Sequence, residues 1–198
     1  MSKKKAPVAR TTAHITLIVD RSGSMMNTLA DAAGGIQAFL DEQKALTDVD
    51  IKVTLCQFDH EFQVVYRDQN LIEVPPYKLE PRGMTALLDA IGRGVLSTTA
   101  YADKTLVVIV TDGQENSSQE FDMATVQSLI KNRQEVGWEF VFLAADLDSI
   151  ELGRQLNLNT TRYDNDRDGT RAVYGATATA SAGYLSGRTA TVETPEEV

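Results

Sequence analysis

The chain has 198 residues, with 19 basic and 28 acidic side chains, a formal net charge of −9 and a sequence pI of about 4.7. That length suits one domain, or one domain with a tail, and can bury about 70% of its unfolded surface without covalent staples. The single cysteine, Cys56, excludes a disulfide framework, and the acidic balance excludes a phosphate-backbone binder, which needs a basic face to release counterions; a cation or a basic partner is the more natural guest.

In chain order, residues 1–12 read as a flexible basic N-terminus: lysines stand there with no apolar stretch behind them, so no secretory signal is formed. No lipidation signal stands at either end. His14 to Val19 is a β-branched run that reads as a strand, ending at Asp20 and a turn-rich stretch to Ser24. A helix is expected from about Asn27 to Lys44, with Leu29, Ala32, Ala33, Ile36, Phe39 and Leu40 on one face. Ile51 to Phe58 is the next strand, and Phe62 to Tyr66 its hairpin partner across a tight turn at Asp59, His60 and Glu61. Leu71 to Pro81 is extended, and Thr85 to Leu96 carries Leu88, Ile91 and Val95 at helical spacing.

Leu106 to Val110 is continuously apolar, as in a strand covered on both faces, and is far shorter than the roughly 20 residues of a membrane span. A loop follows, then a helix over Asp122 to Val136 and a strand over Trp138 to Ala145. A short helix over Ser149 to Gln155, a short strand over Thr160 to Tyr163 and a closing helix over Gly169 to Leu185 complete the domain, taken as residues 13–186. Residues 187–198 read as a flexible acidic tail. The alternation predicts an α/β fold, doubly wound, with a mostly parallel central sheet, one antiparallel edge strand and helices on both faces. No membrane association is expected. Cys56, inside an apolar run, fits a reducing, cytoplasmic compartment.

Ligands of such folds sit at the carboxyl ends of the strands, where strand order reverses. The first strand ends at Asp20, followed by Ser22 and Ser24. The purest apolar strand ends at Thr111, Asp112 and Gly113, and Gly83–Met84–Thr85 opens a helix between them. Two carboxylates and three hydroxyls are hard oxygen donors, the ligand type that suits Mg²⁺. Alternate residues of an extended loop point the same way, so Asp20, Ser22 and Ser24 can converge. Gly23 and Gly83 permit the sharp turns.

Asp20–Arg21–Ser22–Gly23–Ser24, then Gly83–Met84–Thr85, then Thr111–Asp112–Gly113 resembles the von Willebrand factor type A (vWA) domain at its metal-ion-dependent adhesion site. The resemblance covers about residues 13–186, in the intracellular microbial or phage type of that family. It implies a Rossmann-like sheet and a complete metal site. Ser22, Ser24 and Thr85 would be hydroxyl ligands, and Asp20 and Asp112 carboxylates acting directly or through water. The implied cofactor is Mg²⁺, with Mn²⁺ and Ca²⁺ as alternatives. The implied function is non-enzymatic: an acidic residue of a partner protein completes the ion's shell. The runner-up is an adaptor or regulatory subunit of an AAA+ ATPase or stress-response complex using the same site. A metal-dependent hydrolase ranks below both, because no histidine lies in the site loops and the acids are used as ligands. The phosphate-binding patterns Gly-x-x-x-x-Gly-Lys-Ser/Thr and Gly-x-Gly-x-x-Gly are absent. No nucleic-acid partner is expected.

Several neighbours are secondary candidates. Arg21 would contact a partner acid or point to solvent. Asp89, one helical turn past Thr85, is an acceptor facing back to the site or a solvated helix acid. Glu115 and Asn116 would lie on the rim where a partner docks. Asp146 and Asp148 end a strand near the same pole, with capping of the short helix as their main use. Asp164, Asp166 and Asp168 with Gly169 match half of an EF-hand loop, but position twelve is Gly175 instead of glutamate, so an acidic turn capping the last helix is favoured. His14 and His60 have no ligand partner at metal spacing.

Overall fold

In the computed structural model, which describes residues 10–27, 29–99, 102–162 and 167–187, the expected alternation becomes one sheet with two helical layers. The strands are β1 (Thr11–Asp20), β2 (Val49–Phe58), β3 (Phe62–Asn70), β4 (Lys104–Thr111), β5 (Glu139–Ala144) and β6 (Asn159–Arg162). The helices are α1 (Leu29–Lys44), α2 (Leu87–Ser97), α3 (Met123–Gln134), α4 (Leu147–Gln155) and α5 (Arg167–Leu185). A short 3-10 turn, Gly23–Asn27, precedes α1.

The six strands run in the order β3-β2-β1-β4-β5-β6. Every neighbouring pair is parallel except β2 with β3, which forms the antiparallel edge. The sheet is the Rossmann-like arrangement expected from the sequence. Strand order reverses at β1: the chain first goes outward to β2 and β3, then returns to place β4 on β1's other side. The ends of β1 and β4 therefore lie side by side, with Val19 opposite Val110.

Alternation along the two central strands builds the layers. Ile15, Leu17 and Val19 of β1, with Leu106, Val108 and Val110 of β4, pack against Ile36, Phe39 and Leu40 of α1 and Tyr174, Ala178 and Leu185 of α5. Ile18 of β1, with Val107 and Ile109 of β4, packs on the other face against Leu87, Ile91 and Val95 of α2, Val126 and Ile130 of α3 and Ile150 of α4. Burial on both faces explains why β4 reads as an unbroken apolar run.

β1 begins ahead of His14. Thr11 and Thr12 pair with Val49 and Asp50, and Thr12 N donates to Asp103 Oδ2 at 2.9 Å, so these two residues belong to the domain and not to a flexible arm. Residues 1–9 of the expected arm and almost all of the acidic tail lie outside the described residues, as do Asp164 and Asp166 of the EF-hand-like stretch; Arg10 is described and pairs with Asp50 at 2.7 Å. Asp168 falls within α5.

His14 is a buried core residue. Its Nε2 lies 3.1 Å from Thr54 Oγ1 and 3.1 Å from Asp68 Oδ1, and burial lowers its pKa against the pull of Asp68.

α1 and α5 approach closely at Gly35, where a Cβ would meet the Tyr174 ring at 2.6–2.9 Å. Gly35→Ala is expected to destabilise the fold by about 1–3 kcal/mol through overpacking. Urea denaturation checks this, and an unchanged midpoint would show that the ring moves aside freely.

Candidate metal site

Three loops meet at the carboxyl ends of β1 and β4. The first is the turn after β1. Asp20 is fully buried and uses both oxygens within the protein: Oδ1 accepts from Ser22 N at 2.6 Å and Oδ2 accepts from Thr111 Oγ1 at 2.6 Å. The first bond closes the turn that brings Ser22 back over the strand end, and the second ties β1 to β4. Ser22 Oγ lies 2.9 Å from Ser24 Oγ, and Ser24 Oγ donates to Asp112 Oδ1 at 2.5 Å. Ser22 and Asp112 are buried, whereas Ser24 is exposed, which leaves the cluster open to solvent on that side.

The second loop carries Thr85. Gly83 adopts φ +74° and a Cβ there would strike the His60 ring, so both conformation and space require glycine. The buried Thr85 is pinned by a reciprocal pair: Thr85 N donates to Asn116 Oδ1 and Asn116 N to Thr85 O, each at 3.0 Å.

The third loop starts at Asp112, and Gly113 reveals the convergence. A Cβ on Gly113 would stand 2.8 Å from Thr85 Oγ1, 3.1 Å from Ser22 Oγ and 3.2 Å from Ser24 Oγ. Hydroxyls from two loops thus crowd one small space that only the missing side chain keeps open, with Asp112 bonded to Ser24 beside it. These five oxygen-bearing residues supply hard donors without nitrogen or sulfur, the set that suits a Mg²⁺-like cation.

The secondary candidates are placed differently from expectation. Arg21 neither reaches solvent nor waits for a partner: it is 6% exposed, with Nε 2.9 Å from Asp59 Oδ2 and Nη1 donating to Gln63 Oε1 at 3.2 Å. Asp89 faces away from the cluster and accepts from Gln119 N, Glu120 N and Phe121 N at 2.8–2.9 Å. Burial works to raise its pKa, but those backbone donors outweigh it and hold the carboxyl below its usual range. Glu115 is a staple: it accepts from Leu88 N, Ser117 N and Ser118 N at 2.8–3.0 Å, joining the start of α2 to the loop after β4. Asn116 likewise serves to hold Thr85. Asp146 caps α4 through Asp148 N and Ser149 N, as expected, while Asp148 accepts from Gln114 Nε2.

Sequence reasoning missed Thr111, Ser149 and Asp59. Thr111 bridges Asp20 to Gly113 N, and Ser149 Oγ donates to Gly113 O at 2.8 Å, so α4 steadies the glycine. Asp59 follows the end of β2 as Asp20 ends β1 and Asp112 follows β4, and that repetition was the available signal. His60, expected to lack partners at metal spacing, shares a cluster with Asp59 and Glu61 whose ligand atoms lie within 4.8 Å of one another. Asp59 already receives two guanidinium groups, so the cluster is an ion-pair network.

A cavity of about 780 Å³ opens at the opposite pole, where His14, Lys52 and Asp68 line it, and is remote from these loops.

Comparison by sequence finds no matching family model and no matching curated protein. Comparison by structure finds many neighbours. The vWF domain of the type V pili tip protein Mfa5 from Porphyromonas gingivalis aligns over 96% of this chain and 99% of its own, with TM-score 0.65 and 10% identity. The chain has the von Willebrand factor type A fold. A von Willebrand factor type A protein from Catenulispora acidiphila aligns with TM-score 0.60 and 18% identity, over 88% of this chain and 43% of that one. A mutant of the PilB minor pilin from Streptococcus sanguinis gives TM-score 0.66 and 11% identity, over 96% of this chain; this chain spans 65% of that pilin chain. At such identities the likeness extends to the vWA fold alone.

The electrostatics of the site carry a measurable consequence. Burial pushes the Asp20 carboxyl up to about 6, against the hydrogen bonds from Thr111 and Ser22, and the charge of Asp112 adds to the rise. A raised acid pKa means that the metal-free folded state binds more protons than the unfolded chain between about 6 and the ordinary carboxylate value of 3.8. The buried charge therefore costs stability above pH 6, and that cost is relieved as pH falls through 6. Metal-free Asp20→Asn is expected to melt above the wild type at pH 8, with the gap narrowing as pH falls from about 6 toward 3.8. Thermal denaturation in chelator checks this, and a variant melting below the wild type at pH 8 would contradict it.

Proposed function

We propose that this chain is a non-enzymatic protein-binding module that works through a divalent cation, Mg²⁺ in the first instance, held by Ser22, Ser24, Thr85, Asp20 and Asp112. The observation that carries the reading is the gathering of three hydroxyl oxygens around the missing Cβ of Gly113. When bound, the cation supplies an incompletely satisfied positive centre that an Asp or Glu of a partner protein can complete. Ser22, Ser24 and Thr85 offer neutral oxygens and Asp20 would act through water, so the chain would place at most one carboxylate directly on the ion and leave a coordination position open for a partner's. Asp20, with both oxygens already engaged by Ser22 and Thr111, holds the shape of the first loop and is suited to act through water. Ser24 stands on the open side, where a partner approaches.

By analogy of fold alone, the likeness to a pilus adhesin, SpaC from Lactobacillus rhamnosus GG, is in keeping with a binding role. The adaptor role beside an AAA+ ATPase rests on the family resemblance, and no observation in the structure favours it. Among the described residues no helix is long and apolar enough to cross a membrane. A cytoplasmic site of action belongs to the same proposal. It is supported by the buried Cys56, whose thiol burial pushes up to about 12, and cell fractionation tests it.

Isothermal titration is expected to show one Mg²⁺ or Mn²⁺ bound per chain, with affinity lost in Ser22→Ala/Ser24→Ala while circular dichroism stays unchanged. Comparing Mg²⁺, Mn²⁺ and Ca²⁺ ranks the ions. Affinity should fall as pH drops through about 6, where Asp20 takes up a proton. Gly113→Ala should abolish cation binding in a folded protein, because its methyl group would occupy the space the three hydroxyls surround. A pull-down that retains the same partners in EDTA as in Mg²⁺ would sink the cation-bridged reading.

A further inference from the structure

The two loops that carry the hydroxyls are joined through a residue outside them. Asp59 sits in the turn between β2 and β3 and is fully buried. Its Oδ2 forms an ion pair with Arg21, whose Nε lies 2.9 Å away without hydrogen-bond alignment, and accepts from Arg82 Nε at 2.8 Å. Its Oδ1 accepts from Glu61 N at 2.7 Å and lies 3.3 Å from His60 Nδ1. Arg21 stands between Asp20 and Ser22 in the first loop, and Arg82 lies three residues before Thr85 in the second. Arg82 is also paired with Glu61.

Backbone bonds run through the same junction. Arg21 N donates to Phe58 O at 2.7 Å, Arg82 N to Arg21 O at 2.7 Å, Gly23 N to Gly83 O at 3.2 Å and Ala86 N to Asp59 O at 2.9 Å. One buried carboxylate thus holds a guanidinium from each loop, and main-chain bonds fix the register between them.

We infer that Asp59 is a positioning residue for the cation site, clamping the Ser22–Ser24 loop against the Thr85 loop through Arg21 and Arg82. This rests on the cation reading above and deepens it. Removing the carboxylate would free the loops to separate. It would also leave the Arg21 charge buried and without its carboxylate, one residue along the chain from each of the donor residues Asp20 and Ser22, where it would repel a cation. Outer residues that orient metal donors typically change metal affinity about 10–100-fold when replaced.

The test compares the wild type with Asp59→Asn, Arg82→Ala and Arg82→Lys, by Mn²⁺ titration and by thermal melting in EDTA. Asp59→Asn is expected to raise the Mn²⁺ Kd about 10–100-fold at a temperature where it is folded. Arg82→Ala, at a half-exposed side chain, should raise it less with Tm little changed, and Arg82→Lys should recover part of the loss. A lowered Tm with an unchanged Kd would mean that the cluster only holds the fold, and would overturn the inference. If Asp59→Asn does not fold, the two Arg82 variants decide by the same criteria. If the wild type takes up no divalent cation, the cation reading fails by itself. The clamp is then judged by amide exchange over residues 21–25 and 83–86: faster exchange in Arg82→Ala supports it, and unchanged exchange overturns it.

Discussion

The parallel pairing of β1 with β4 is the constraint on which the rest depends. It sets Val19 beside Val110, so that the residues just beyond, Asp20 and Thr111–Asp112, emerge at one place although 91 residues separate Asp20 from Thr111. The hydrogen bond from Thr111 Oγ1 to Asp20 Oδ2 seals that junction in the dry end of the sheet. Every oxygen of the candidate site is positioned from it: Ser22 through the turn closed on Asp20, Ser24 through Ser22 and Asp112, and Thr85 through the hollow beside Gly113.

Holding a carboxylate where Asp20 sits opposes stability, since burial disfavours its charged form. Protein donors on both oxygens offset this only in part, because the Asp20 carboxyl still titrates near 6. A bound cation would offset that cost, and this links the local energetics to the proposed use. Arg21, beside Asp20 in the chain, is held by Asp59 and Gln63. The acidic surface noted at the outset contributes little to the site. Glu115, Asp89, Asp122 and Asp146 satisfy backbone N–H groups at loops and helix starts.

Much of the fold was legible in the sequence. The run from Leu106 to Val110 has no polar interruption because β4 is covered on both faces, and the hairpin at Asp59 to Glu61 announced the antiparallel edge. Strand β1 extends back to Thr11 because its pairing with β2 begins at Val49, a register that no local pattern reveals. The roles of Arg21, Asp89 and Glu115 were misread for one reason. A charged residue on a loop or helix start looks solvated until the tertiary structure brings a partner from a distant segment, and each of these meets at least one partner across 27 to 42 residues of sequence.

The sequence by itself determined the element order, the two-faced burial of the central strands and the kinds of donor at the strand ends, because these follow from local periodicity and side-chain chemistry. Only the tertiary structure decided that Gly113 provides the hollow in which three hydroxyls gather, that Glu115 and Asn116 brace the site, and that Asp59 bolts two of its loops together. Those facts are distances between segments far apart in the chain, and the sheet's parallel register and reversal point set such distances.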